Sequence, residues 1–178
     1  MIVIKLLNLE SVKPMIFFKR WIWLILASLM MIILFLSSNT PYQNQDVKPL
    51  FKEWITIEQK DLPQIEFRYD GALVTPSEPY RYVEFFLRKG AHVVSFGLLT
   101  FFWILFFMKR YTLRKSLYFG FLLAFLYALF DEYHQSLIPN RTGHLIDVFI
   151  PDTLGMVLAC LLILILSLIK NKKAGNAS

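Results

Sequence analysis

The chain has 178 residues, of which 56% are hydrophobic and 18% charged, with a formal net charge of +6. Ordinary globular domains run about 45–50% apolar and about a quarter charged, so this composition and a mean hydropathy of +0.50 exclude a soluble protein. The positive charge is no nucleic-acid signature, because the basic residues cluster beside apolar runs instead of forming a stripe interleaved with aromatics. Cys160 is the single cysteine and lies inside the last apolar run, which excludes an intramolecular disulfide.

Taken in order, the first 20 residues carry Lys5, Lys13, Lys19 and Arg20 against Glu10. An apolar segment follows, anchored at its start by Trp21 and Trp23, and predicts a first span over about 21–38. It exceeds the roughly 7–15 residues of a signal-peptide core, and no small-x-small cleavage site follows, so it reads as uncleaved. Residues 39–87 form the one long polar connection. Leu50, Phe51, Trp54 and Ile55 recur at helical spacing, predicting a short amphipathic helix over 48–59. Ile65, Phe67 and Tyr69 then alternate with polar residues up to Asp70-Gly71, and Ala72-Leu73-Val74 follows. Asp-Gly between such runs signals a β-hairpin. A two-stranded hairpin is only marginally stable alone, so it is expected to pack on the helices or lie at the headgroups. Residues 81–87 read as a helix running into a second span at 91–108.

A third span is predicted at 116–134 and a fourth at 148–169. The third apolar run is only about 15 residues, short of the roughly 20 that cross a membrane. It reaches full length only if Asp131 and Glu132 lie inside the membrane boundary. The fold class expected is therefore an all-α membrane protein, a four-transmembrane-helix bundle forming a single domain over 1–178. Residues 1–20, 109–115 and 170–178 together hold 11 basic residues and one acid, against 8 basic residues and 12 acids in the other connections. By the distribution of Lys and Arg, both termini are cytoplasmic and the long loop faces outward in a multi-pass cell-membrane protein. Arg88 and Lys89 then sit beside a span on the wrong side for that trend.

These charged ends are the candidate site. Arg88 and Lys89 lie four and three residues before His92, so one face of the second span presents all three. In the third span Gly120, Ala124 and Ala128 make a small-xxx-small face that lets another helix approach, and Glu132 comes four residues later. Asp131 lines up with His134 and Gln135. In the fourth span Asp152, Gly155 and Ala159 make a matching stripe, with Pro151 suited to a helix N-terminus and Asp152 to the positive end of its dipole. One reading is a salt-bridge network in which Arg88, Lys89 and Arg141 neutralise Asp131, Glu132, Asp147 and Asp152. Another has those cations receive an anionic ligand, for which the arginine fork suits phosphate or carboxylate. A third takes Asp131 with His134, and His144 with Asp147, as metal-binding pairs in an envelope hydrolase or transferase. No His-Glu-x-x-His or Gly-x-Ser-x-Gly signature supports it, so no metal, cofactor or catalytic residue is assigned. The small-residue faces also fit a structural partner of another membrane protein.

At these positions the chain resembles the VanZ-like family of small membrane proteins. The resemblance is carried by Arg88-Lys89-x-x-His92, Asp131-Glu132-x-x-Gln135, Arg141-Thr142-Gly143, Asp147-Val148 and Asp152-Thr153-x-Gly155. It implies a membrane protein of Gram-positive-type bacteria, linked in some members to lowered susceptibility to glycopeptide and lipoglycopeptide antibiotics such as teicoplanin. The functional set it implies is Arg88, Lys89, His92, Asp131, Glu132, Gln135, Arg141, Asp147 and Asp152. Many relatives carry Asn where this chain has Asp152. The expected partners are membrane lipids and an anionic, lipid-linked cell-envelope precursor or polymer; no enzymatic activity is implied.

Overall fold

The computed structural model describes residues 3–40, 48–139 and 141–175. Helix α1 (Val3–Ser38) leads to the short α2 (Lys48–Trp54), a 3-10 turn at Gln59–Asp61, and strands β1 (Phe67–Tyr69) and β2 (Ala72–Val74). Helices α3 (Pro79–Phe107) and α4 (Leu113–Leu137) follow. The last rod comprises α5 (Leu145–Asp147), a π-turn at Val148–Asp152 and α6 (Thr153–Gly175). Among the described residues, four segments are long and apolar enough to cross a membrane: Arg20–Ser38, Pro79–Phe107, Leu113–Leu137 and Leu145–Lys173. This is an all-α membrane protein with one small sheet.

Helix α3 sits at the centre, packing on α1, α4 and α6. With lipid as solvent, helices gain little from burying apolar groups against each other and associate through close packing and interhelical hydrogen bonds. Both devices are present. Gly120, Ala124 and Ala128 are buried on one face of α4, and the Gly120 Cα faces Ile104 of α3 with no room for a methyl group. Gly97 and Gly155 meet backbone to backbone where α3 crosses α6. The Tyr127 hydroxyl donates to the Met31 carbonyl at 2.5 Å, joining α4 to α1. Phe96, Leu99, Val148 and Met156 fill the core, while Ile25, Ile32, Leu126 and Leu168 point outward as a lipid-facing surface requires.

The loop departs from expectation in one place. Helix α2 ends at Trp54 instead of reaching residue 59. The run Ile55-Thr56-Ile57 is β-branched at every position and stiff at χ1, which disfavours helix. The Tyr80 hydroxyl also holds this stretch, donating to the Ile55 carbonyl at 3.2 Å and accepting from the Ile57 N–H at 3.4 Å. Trp54 and Ile55 are exposed; the side chains of Leu50 and Phe51, the rest of the expected apolar face, lie outside the described residues. The hairpin forms as its turn chemistry dictates. Asp70 (φ 48°) and Gly71 (φ 79°) both take positive φ, the type I′ geometry that matches strand twist, and Phe67 pairs with Val74. It packs on the bundle: the rings of Phe67 and Tyr69 lie 5.6 and 5.1 Å from that of Phe85 on α3.

Pro151 is not at a helix N-terminus. The helical rod begins at Leu145, and Pro151 lies inside the π-turn. A proline lacks the N–H and its ring clashes with the carbonyl four residues back; the widened π-turn around Pro151 accommodates both. The Val148 carbonyl accepts from both the Thr153 N–H of the widened turn and the Thr153 hydroxyl, the latter at 2.6 Å. Asp152 therefore owes its position to this turn and not to a dipole at the start of the rod.

Candidate functional site

The end of α1, the start of α3, the end of α4 and the start of the last rod come together at one end of the bundle, with the hairpin beside them. Asp131, Glu132, Asp147 and Asp152 are all nearly inaccessible there, at 3%, 2%, 4% and 0% relative exposure. Helix α4 continues through Asp131 and Glu132 to Leu137, and both acids are buried within the protein. Charged groups this deep require partners, and each carboxylate is reached from an element other than its own.

Lys89 of α3 places its Nζ 2.6 Å from both oxygens of Asp147, and the Tyr69 hydroxyl from β1 donates to Asp147 Oδ1 at 2.5 Å. The same ammonium lies 4.6 Å from the Tyr69 ring centroid. Burial first, and then the hydrogen bond to and charge of Asp147, push the Tyr69 phenol above its ordinary range. His92 Nδ1 meets Asp152 Oδ1 at 2.8 Å. Glu132 Oε2 accepts from the backbone N–H of His144 at 2.6 Å. Gly143 is the residue before it, and a Cβ there would collide with the Glu132 carbonyl. Glycine in the Arg141-Thr142-Gly143 segment thus lets the loop lie flat on the last turn of α4.

Asp131 forms a second group. It accepts from the Ser38 hydroxyl of α1 at 2.5 Å and from Gln135 Nε2 at 2.7 Å. Gln135 Oε1 in turn accepts from Arg141 Nε at 3.2 Å, and Arg141 Nη1 donates to the carbonyls of Ser37 and Thr40 at 2.9 and 3.0 Å. Arg141 therefore ties the end of α1 to α4. Its pKa is lowered by burial and then by the nearby Arg88, against the opposing pull of Asp131 and Glu132.

Arg88 bonds Glu84 Oε1 at 3.1 Å, and Lys48 reaches Glu84 Oε2 at 3.0 Å. Glu84 is buried and was missed by reasoning from the sequence, as were Ser38, Tyr69 and Asp70. A signal existed for Glu84, because a Glu four residues before an Arg on one helix is the favoured order of such pairs. The metal-ligand pairs read from spacing do not assemble. His134 stacks on Phe35 and Phe130, with ring centroids 4.5 and 6.0 Å away, while Asp131 is held by Ser38 and Gln135. His144 turns to Asp70 and to the Thr142 hydroxyl, away from Asp147. The structure instead brings together His92, Glu132 and Asp147, with ligand atoms within 4.8 Å of one another.

A cleft of about 140 Å³ opens between the hairpin and α3, with walls that include Leu73, Val74, Tyr82 and Phe85. Lys89, His144 and Arg81 also line it.

A profile of the VanZ/LLP1 family matches residues 22–167. The chain belongs to the VanZ/LLP1 family. No curated protein and no solved structure matches it. The VanZ/LLP1 match starts in α1 and ends in α6, so it takes in all four candidate spans, the polar loop and the charged end of the bundle.

Proposed function

We propose that this protein acts at the extracytoplasmic face of a Gram-positive-type bacterial membrane. There it binds an anionic envelope or lipid-linked ligand and lowers susceptibility to glycopeptide and lipoglycopeptide antibiotics such as teicoplanin. Membership of the VanZ/LLP1 family supports the membrane setting and the link to teicoplanin. The distribution of Lys and Arg supports cytoplasmic termini, which would turn the charged end outward. The observation that carries the ligand reading is the cleft beneath the hairpin, where apolar and aromatic walls stand beside Lys89 and Arg81, with Asp70 and Glu78 at its polar edge. Apolar walls with a few convergent charges suit an amphipathic molecule bearing an anionic head.

The roles of the three cations differ within this reading. Lys89 lines the cleft, whereas Arg88 and Arg141 act behind it, positioning the helices through Glu84 and through Gln135 with the α1 carbonyls. Arg81 is the clean probe, because its side chain is exposed and its ion pair with Glu78 lies on the surface. The test expresses the full-length protein in a teicoplanin-susceptible Gram-positive host. Wild type should raise the inhibitory concentration and co-purify with an anionic envelope lipid, as read by mass spectrometry. Arg81→Glu should lose most of both at unchanged membrane abundance. Unaltered susceptibility on wild-type expression would remove the resistance role, and unchanged lipid content in Arg81→Glu would remove the cleft.

A further inference from the structure

We propose that His92, Glu132 and Asp147 form a binding site for a divalent metal ion of the zinc or manganese type, with Asp152 orienting His92. The inference stands apart from the ligand reading, because it concerns the buried carboxylates behind the cleft. An imidazole nitrogen of His92 and carboxylate oxygens of Glu132 and Asp147 lie within 4.8 Å of one another, each supplied by a different helical rod. Donors bound to one such ion at about 2.0–2.2 Å stand roughly 3.4 Å apart, so donors now within 4.8 Å of one another would close by at most about 1.4 Å to complete the site.

Two oxygens call for a cation. Glu132 Oε1 and Asp152 Oδ2 are buried and have no hydrogen-bond partner among the described residues. Their parent side chains are almost wholly inaccessible. A buried carboxylate oxygen without a donor is costly, and a metal at Glu132 would relieve that cost where it arises. The surrounding bonds are those a metal site needs. Asp152 holds Nδ1 of His92, which leaves Nε2 for the ion, the carboxylate–histidine–metal arrangement that fixes the tautomer and raises ligand basicity. Glu132 is steadied by the His144 N–H and Asp147 by the Tyr69 hydroxyl. Lys89 straddles both oxygens of Asp147; with the ion on Oδ2, Lys89 and Tyr69 keep Oδ1. One imidazole with two carboxylates suits zinc or manganese better than all-oxygen ions.

The experiment uses full-length protein in detergent, stripped with a chelator and then titrated with zinc or manganese chloride while its thermal unfolding is followed. Wild type should melt at rising temperature as either ion is added. Glu132→Gln should lose at least tenfold in apparent affinity, yet melt no lower than wild type when both are stripped, because a neutral amide replaces a buried, incompletely paired charge. Asp152→Asn should lose about 10–100-fold. His92→Gln, which retains a hydrogen bond toward Asp152 and removes the ligand nitrogen, decides the matter if Glu132→Gln does not fold. No shift in stripped wild type with either ion would overturn the proposal and leave Lys89 as the resident cation. A shift that persists in both Glu132→Gln and His92→Gln would place binding elsewhere and overturn it equally.

Discussion

The crossing of α3 and α6 allows a graded test, because three glycines of one bundle differ only in what an added methyl group would meet. At Gly155 a Cβ would collide with the Val93 carbonyl and lie 3.0 Å from the Gly97 nitrogen, so the obstacle is backbone that no rotamer change can clear. At Gly97 the nearest atom is the Gly155 carbonyl oxygen at 3.1 Å, a contact relieved by a shift of a few tenths of an ångström. At Gly90 nothing lies within 4 Å. Each Gly→Ala change in a helix gains about 0.8–1.0 kcal/mol of propensity, and overpacking costs about 1–3 kcal/mol, sometimes more. Gly90→Ala should therefore stabilise by about 1 kcal/mol and Gly97→Ala should be near neutral. Gly155→Ala should destabilise by about 2 kcal/mol or more. The last change should also part His92 from Asp152, since Val93 adjoins the first and Gly155 lies three residues beyond the second. Equilibrium unfolding of the three variants in one detergent measures the series. If Gly155→Ala unfolds like Gly97→Ala, the helices do not cross at these glycines and the geometry argued from them fails.

Two further outcomes follow from the charged end. Lys89→Met leaves Asp147 buried without its ammonium and should cost about 3–5 kcal/mol; adding Asp147→Asn should recover much of that, and a double variant no more stable than the single would show that the pair is not coupled. Because burial and Asp147 raise the Tyr69 phenol above its ordinary value near 10, the fold favours the protonated form. Its stabilising contribution is complete below that value and is lost as pH rises beyond it. In a spectrophotometric titration, wild type minus Tyr69→Phe should show no extra tyrosinate near pH 10 while the protein is folded, and ordinary ionisation of Tyr69 there would contradict its burial against Asp147.

Features set by local periodicity were legible in the sequence. The four spans follow from apolar length, the hairpin from Asp70-Gly71, and the close-packed face of α4 from a four-residue repeat of small residues that delivers Glu132 inward. Even the burial of Asp131 and Glu132 follows from length, because an apolar run of 15 residues cannot cross unless its polar end is drawn in. Spacing identifies the face a residue occupies but not the partner waiting for it. Ser38 finds Asp131 across 93 positions and Tyr69 finds Asp147 across 78, and such pairs are fixed only when the rods settle into register. The same limit misdirected the histidines. His134 and Asp131 share a helix at ligand spacing, yet Asp131 bonds Ser38 and Gln135 while His134 stacks on Phe35 and Phe130. Pro151 misled for a different reason: proline fits the first turn of a helix well, but a π-turn lets it sit inside one, and nothing in the local sequence separates the two.

The loop that looked like a connection is part of the charged end. A hairpin of three-residue strands has too few hydrogen bonds to persist by itself, so its order must come from the helix it lies on. Phe67 and Tyr69 supply that by packing on Phe85, and the Tyr69 hydroxyl then reaches Asp147. Asp70, at the first turn position, reaches His144, whose own N–H holds Glu132. A turn that puts two residues at positive φ thus decides where a phenol and a carboxylate stand relative to three helices. Sequence changes in this hairpin are therefore transmitted to the buried acids through two named bonds, while changes on the exposed positions Arg68 and Leu73 of the same strands are not.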